Sequence, residues 1–153
     1  STPIKSSAAS DVYKRQLQDY PEKDAKAAIQ LQQIFYRMTK YFIENFNTAN
    51  FLTEALYHSK AASYFTNYRV QHFIFVRTLI EQAQREGDIC SDMNSYEIYT
   101  TLQSILIQPI IIKNNILQQH KNEPLMDKLK LIDVSSESSL QKRLRVAFKG
   151  LRP

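Results

Sequence analysis

LIEQAQREGDI, the stretch from Leu79 to Ile89, places one of only two glycines in 153 residues at the end of a long amphipathic pattern. Glycine reaches the left-handed backbone conformation without a steric penalty at Cβ, so Gly87 is predicted to lie just after a helix end. Asn94 and Glu97 then have the spacing of a capping box, which predicts the start of the next helix. Gly150 is predicted to close the last helix in the same way. The stretch therefore predicts a chain of capped helices.

Apolar residues recur at three- and four-residue steps on both sides of this stretch, as expected for amphipathic helices. The pattern predicts five helices, over 21–46 with Pro21 at the first position, from Phe51 to about Ser59, from about Thr66 to Gly87, over 95–120, and from Ser135 or Ser136 to Gly150. Residues 121–136 are predicted to be a linker that can hold a turn of helix over 125–132. Pro109 is predicted to kink or break the fourth helix. No stretch alternates with period two, so the predicted fold class is all-α.

The composition is typical of a soluble domain, with 43% hydrophobic and 23% charged residues. No apolar run is long enough to span a membrane, and Cys90 is the only cysteine, which excludes an internal disulfide. These features predict a cytoplasmic protein without a membrane partner. Residues 1–16 are predicted to be a disordered or non-native leader, because they lack periodicity and SSAASDVYKRQ resembles adapter-derived reading frames. Residues 17–153 are predicted to form one helical domain.

The formal net charge of +5 comes mainly from the last predicted helix. Lys142, Arg143, Arg145, Lys149 and Arg152 follow Glu137, whereas the preceding residues are nearly neutral. A duplex-binding domain normally concentrates basic residues on a face that follows the phosphates. The chain is therefore predicted to have no specific DNA affinity by itself, and a solvated helix face explains the basic residues more simply.

The sequence lacks the motifs of several common enzyme classes. Two glycines that lie far apart cannot form a phosphate-binding loop, and His58, His72 and His120 are too scattered to suggest a metal site. Serine nucleophile elbows and paired catalytic carboxylates are also missing. The sequence predicts no enzyme activity, no metal and no cofactor.

Aromatic residues are concentrated in the middle of the chain. Most of the 8 phenylalanines and 9 tyrosines lie between Phe35 and Tyr99. A buried tyrosine needs a hydrogen-bond partner for its hydroxyl. A cavity lined by rings with a few polar groups suits a small, mostly apolar ligand, although ordinary core packing explains many such residues.

The helix end LIEQAQREGDI and the closing FKGLRP, from Phe148 to Pro153, resemble the C-terminal half of TetR-family transcriptional regulators. The resemblance covers roughly Leu17 to Pro153 and implies the effector-binding and dimerisation region of a bacterial repressor. It also implies a homodimer built through a four-helix bundle and a small apolar effector. The helix-turn-helix that binds DNA in this family has no counterpart before Pro21, so DNA binding is expected only through a segment that this chain lacks.

Two groups of site residues follow from the apolar stripes together with this resemblance. The predicted ligand-binding residues are Phe42, Phe46, Phe73, Tyr99, Gln103 and His72, with Tyr99 and Gln103 stacked one turn apart to orient the ligand. The predicted dimer-interface residues are Ile98, Leu102, Ile105, Ile112, Ile116, Leu140, Leu144, Ala147, Phe148 and Leu151. The helix over 95–120 has two apolar faces, more than a monomer of five helices can cover, which predicts a dimer.

Two other functions remain open at this level. A stand-alone helical dimerisation or interaction module would dimerise without a ligand cavity. A small-molecule carrier would bind its ligand as a monomer.

Overall fold

The part of the chain that the structure describes is all-α. A computed structural model describes the backbone of residues 24–47, 59–120 and 122–153, and the side chains of these residues outside 59–71. These ranges contain six helices and no strand: α1 (Ala27–Glu44), α2 (Ser59–Arg85), α3 (Ser95–Leu106), α4 (Gln108–Gln119), α5 (Pro124–Leu131) and α6 (Glu137–Gly150). The predicted fold class is confirmed for these ranges.

Helix α1 begins at Ala27, and residues 24–26 are not helical, so the predicted unbroken helix over 21–46 is wrong, whereas Pro21 itself lies outside the described residues. Lys26 has an extended backbone, with φ −55° and ψ 148°, and it precedes the first helical residue. The backbone N–H of Ala27 donates to the Glu86 carboxylate at 3.2 Å, and the Lys26 ammonium lies 3.4 Å from the Asp88 carboxylate. Both partners come from the end of α2. A contact between distant segments fixes where this helix begins, and the local sequence pattern does not contain it.

Helix α2 begins at Ser59, several residues before the predicted start near Thr66. The helix therefore includes residues before Thr66, which the apolar pattern does not predict to be helical. The predicted short helix from Phe51 lies outside the described residues, except for Ser59, which belongs to α2. The predicted leader over 1–16 also lies outside them.

Helix α2 ends at Arg85, and Gly87 lies just after that end, which confirms the prediction made from LIEQAQREGDI. Gly87 has φ +76°, the left-handed conformation that a residue with a Cβ adopts at a cost. The N–H of Asp88 donates to the carbonyl oxygen of Ala83 at 3.0 Å, and the N–H of Gly87 donates to that of Gln84 at 3.1 Å. This pair of hydrogen bonds is a Schellman motif, and it satisfies carbonyls that the helix end would leave without partners.

The connection from α2 to α3 is held by side-chain hydrogen bonds. The amide of Gln84 donates to the carbonyl oxygens of Cys90 at 2.9 Å and Met93 at 2.8 Å. Asn94 and Glu97 form the predicted capping box, in which each side chain accepts from the other residue's backbone N–H at 2.9 Å. This connection therefore has little freedom to move relative to α2 and α3.

Pro109 breaks the predicted helix over 95–120 into α3 and α4. Pro109 occupies the first turn of α4, where its missing N–H costs nothing. The N–H of Ile110 donates to Ile107 at 3.1 Å, not to Leu106, which a continuous helix would use. The predicted break is confirmed, and the Leu106 carbonyl is left without a partner from its own helix.

The C-terminal region adds α5 and α6. Residues Pro124–Leu131 form α5, the helical turn that the sequence suggested within the linker. Ser136 caps α6 by accepting from the N–H of Ser139 at 3.1 Å, as predicted. Gly150 is the last residue of α6 and has no positive φ, so the prediction that it closes the helix in the left-handed conformation is wrong. Leu151 ends the helix with a right-handed backbone conformation.

Helix α3 is the centre of the core. It contacts α1, α2 and α6 as well as its continuation α4. The hydrophobic residues with no measurable exposure come from all four of the helices α1, α2, α3 and α6: Leu31, Ile34, Phe35, Val76, Ile80, Ala83, Ile98, Leu102, Leu106 and Leu140. Two apolar faces of α3 are therefore covered within a single chain.

Candidate ligand-binding site

Tyr99 lies at the centre of a polar and aromatic cluster between α2 and α3. Its hydroxyl accepts a hydrogen bond from the Gln103 amide at 2.9 Å and lies 3.2 Å from Nδ1 of His72. Tyr99 and Gln103 are four residues apart, which places them one above the other on α3. His72 comes from α2. The predicted pairing of Tyr99 with Gln103 is confirmed, and His72 joins it.

The Tyr99 hydroxyl and Nδ1 of His72 can share a proton in two ways. A phenolic hydroxyl has one proton to donate and can also accept from other groups. The tautomer of His72 decides whether Nδ1 accepts from Tyr99 or donates to it.

Aromatic rings surround the Tyr99 side chain. The Phe73 ring lies 5.3 Å from the Tyr99 ring at an interplanar angle of 69°, and the Phe35 ring lies 6.0 Å away at 64°. Phe73 also meets Tyr96 edge to face at 5.8 Å. Edge-to-face packing directs the positive edge of one ring at the negative face of another. Helices α1, α2 and α3 each contribute at least one ring.

The cluster has a buried base and a more open polar side. Phe35 is completely buried, whereas His72, Phe73, Tyr99 and Gln103 are each partly exposed. A hydroxyl, an amide and an imidazole therefore lie at the edge of an apolar group of rings. We call Phe35, His72, Phe73, Tyr99 and Gln103 the Tyr99 cluster.

Phe42 and Phe46 do not take part in the described ring contacts of this cluster. Phe42 is partly buried and packs against the core from further along α1, and Phe46 lies beyond the end of that helix. Sequence analysis missed Phe35 as a site residue. Phe35 and Phe42 are seven residues apart on one stripe, and only the crossing of α1 over α3 decides which of them meets Tyr99.

The predicted dimer-interface residues divide into two groups. Ile98, Leu102 and Leu140 are fully buried, and Leu144, Ala147 and Leu151 are 9%, 3% and 4% exposed. These six residues therefore belong to the core of the described chain, and the predicted dimer stays a prediction. Ile105 and Phe148 are partly buried against that core. Ile116 is also partly buried, and Ile112 is the most exposed of the set, at 52%.

In the described ranges, no three His, Cys, Asp or Glu residues lie close enough together to hold a metal ion. Burial and a hydrogen bond from Cys90 to Asp92 both raise the pKa of the Cys90 thiol, which favours the neutral form. None of the described helices has both the length and the hydropathy needed to cross a membrane.

These observations define the described part of the chain as an all-α protein fold that carries an aromatic and polar cluster. Comparison of the chain with protein-family models, with curated proteins and with solved structures finds no match. The resemblance to TetR-type regulators therefore stays a prediction.

Proposed function

We propose that the chain is the effector-binding and dimerisation region of a TetR-type transcriptional repressor, and that the effector binds at the Tyr99 cluster. The observation that carries this proposal is the hydroxyl of Tyr99, shared between the Gln103 amide and the His72 ring among aromatic side chains. Ligand sites combine apolar walls with a few polar groups that fix orientation.

The chemistry of the cluster indicates the kind of effector. Phe35 and Phe73 offer ring faces and edges to an apolar or aromatic body. Gln103 has both an amide donor and a carbonyl acceptor, and Tyr99 can donate or accept. These groups fit a small molecule with a hydroxyl or carbonyl group at one end. None of the five described side chains of the cluster carries a permanent charge, which favours a neutral effector.

Dimerisation of the proposed regulator would use α4 and α5. Ile112 on α4 is 52% exposed, and Leu131 and Ile132 at the end of α5 are 85% and 55% exposed. Helices α4 and α5 contact each other, so these residues belong to one region of the molecule. Exposed apolar groups of this kind mark interaction surfaces. The same observation also favours the alternative of a stand-alone helical interaction module.

Ligand binding separates these two functions. The experiment measures the melting temperature of the full chain against a panel of neutral aromatic alcohols and ketones, with Tyr99→Phe and Gln103→Leu as test variants. Tyr36→Phe is the matched control, because the Tyr36 hydroxyl also donates a hydrogen bond, at 2.9 Å to Glu137, away from the cluster.

We expect at least one compound to raise the melting temperature of the wild-type chain and of Tyr36→Phe. Loss of the Tyr99 hydroxyl should weaken binding of that compound about tenfold, which corresponds to about 1.4 kcal/mol. Equal losses in Tyr99→Phe and Tyr36→Phe would show that the cluster is not the site. A panel without any stabilising compound, together with a stable dimer, would favour the interaction module.

A further inference from the structure

Helix α6 has a continuous basic face directed at solvent. Lys142, Arg145 and Lys149 follow one another at steps of three and four residues, and Arg152 comes three residues later. All four are exposed. This spacing places Lys142, Arg145 and Lys149 along one line of α6, opposite the buried line of Leu140, Leu144 and Ala147, and Arg152 follows just beyond the end of the helix. We call these four residues the basic stripe.

No ion pair within the described part of the chain neutralises the basic stripe. None of its four side chains makes an ion pair or a hydrogen bond with a described residue. The closest acids in sequence are used elsewhere: Glu137 accepts from the Tyr36 hydroxyl at 2.9 Å, and Asp133 accepts from the Ser135 and Ser136 amides. Both lie before or at the start of α6. The field of the stripe is therefore directed outward.

The stripe does not fit a second copy of the chain or a membrane. A two-fold interface brings the same patch of both copies together, which would place like charges opposite each other. Interfacial helices insert an apolar face into the lipid, but the apolar face of α6 is buried in the core. Protein interfaces need a central apolar or aromatic anchor. Val146, at 62% exposed, is the only large hydrophobic residue exposed on α6.

The dimensions of the basic stripe fit the backbone of a nucleic acid. Lys142 and Lys149 are seven residues apart, which is about 10 Å along a helix. Duplex DNA presents one phosphate on each strand per about 3.4 Å of its axis, so a line of this length meets several phosphates. We propose that the basic stripe binds the phosphate backbone of duplex nucleic acid without reading the bases. This proposal goes beyond effector binding and does not depend on it.

The test is fluorescence anisotropy of a labelled 20-base-pair duplex titrated with the full chain, between about 20 and 200 mM salt, a range over which phosphate contacts weaken strongly. The test variant is Lys142→Gln with Lys149→Gln. The control is Lys128→Gln with Lys130→Gln, which removes the same charge from two exposed residues of α5. Both doubles have the same net charge, so a difference between them depends on position.

We expect wild-type affinity to fall with salt at a slope of about −3 on logarithmic axes, because three or four phosphates are neutralised. For the variant with Lys142→Gln and Lys149→Gln, the magnitude of the slope should fall by about 1.8, because two phosphate contacts are lost. This variant should also bind the duplex at least fivefold more weakly at low salt. The α5 control should stay within about twofold of wild type, and scrambled duplexes should bind equally.

Three results would overturn the proposal. One is no binding at low salt, and another is equal weakening in both double variants, which would reflect net charge alone. The third is tighter stripe-dependent binding of poly-L-glutamate or of phosphatidylserine vesicles than of the duplex. That result would assign the stripe to an acidic protein or to a membrane surface.

Discussion

Arg143 donates a hydrogen bond across the core to the carbonyl oxygen of Leu106, 3.2 Å away and 37 residues earlier in the chain. Leu106 is the last residue of α3, and the break at Pro109 removes its carbonyl from the helical pattern of hydrogen bonds. The same guanidinium donates to the Ser139 hydroxyl at 2.7 Å. A charged side chain of α6 therefore satisfies the carbonyl that the break exposes, and burial lowers the pKa of Arg143 without neutralising it.

Arg143→Ala should lower the free energy of unfolding by about 1.5–3 kcal/mol, because a hydrogen bond from a charged group is lost and a carbonyl is left without a partner. Arg143→Lys should recover only part of this loss, since one ammonium lacks the two-pronged geometry. Urea denaturation measures the free energy of unfolding of both variants. Arg145→Ala is the matched control, as Arg145 is exposed on the same helix. Equal stability of the two alanine variants would contradict this assignment.

The two glycines should respond to alanine in opposite directions. Gly87→Ala should cost about 1 to 2 kcal/mol, because the backbone at φ +76° is unfavourable for a residue with a Cβ. No atom lies within 4 Å of the position of that Cβ, so crowding adds nothing. Gly150→Ala should stabilise by about 0.5 kcal/mol, since the position is helical. Thermal or urea unfolding measures the difference, and a cost at Gly150 equal to that at Gly87 would be inconsistent with these conformations.

A charge at Leu144 should act differently from a charge at Ile112. Leu144→Asp buries a carboxylate among apolar residues and should cost at least about 3 kcal/mol of unfolding free energy. Ile112→Asp changes a side chain that is 52% exposed, so it should alter the stability of a single chain by no more than about 0.5 kcal/mol.

Light scattering at tens of micromolar then tests the proposed dimer. We expect wild type to be a dimer and Ile112→Asp to be a folded monomer. Ser104→Asp is the control, since Ser104 is exposed on α3 outside the proposed surface. A wild-type monomer, or an Ile112→Asp dimer, would exclude α4 as the interface.

Cys90 should react slowly with thiol reagents in the native chain. Burial and Asp92 raise its pKa, so less thiolate is present near neutral pH than in the unfolded chain. The raised pKa of Cys90 also contributes to the free energy of unfolding. This contribution is present at pH values below the ordinary thiol pKa and is lost as the pH rises through the raised pKa of the folded chain. Disulfide-exchange rates measured from pH 7 to 10, with and without urea, should show the difference. Asp92→Asn should accelerate the native reaction, whereas Asp88→Asn should not.

The sequence predicts most helix ends whose signal is local, although Gly150 is an exception. Gly87, the capping box at Asn94 and Glu97, and the break at Pro109 each depend on residues only a few positions apart. The start of α1 could not be predicted in this way, because its first amide is capped by Glu86 from another helix.

The candidate site was predictable in part for the same reason. Tyr99 and Gln103 share a helix face, so their pairing follows from their spacing, but the contribution of Phe35 depends on how α1 crosses α3. Apolar residues such as Ile98 and Leu102 indicate burial without showing what covers them. The sequence suggested a second copy, whereas α1, α2 and α6 of the same chain cover them.

The backbone N–H of Cys90 donates to the carbonyl oxygen of Leu151 at 2.7 Å, which joins the α2–α3 connection to the third residue from the end of the sequence. Leu151 is also buried, at 4% exposed. During synthesis, α1 to α3 are made before Leu151. The contact that joins the α2–α3 connection to the residue after α6 therefore forms late, and a variant truncated before Leu151 should lose it together with the apolar side chain that it buries.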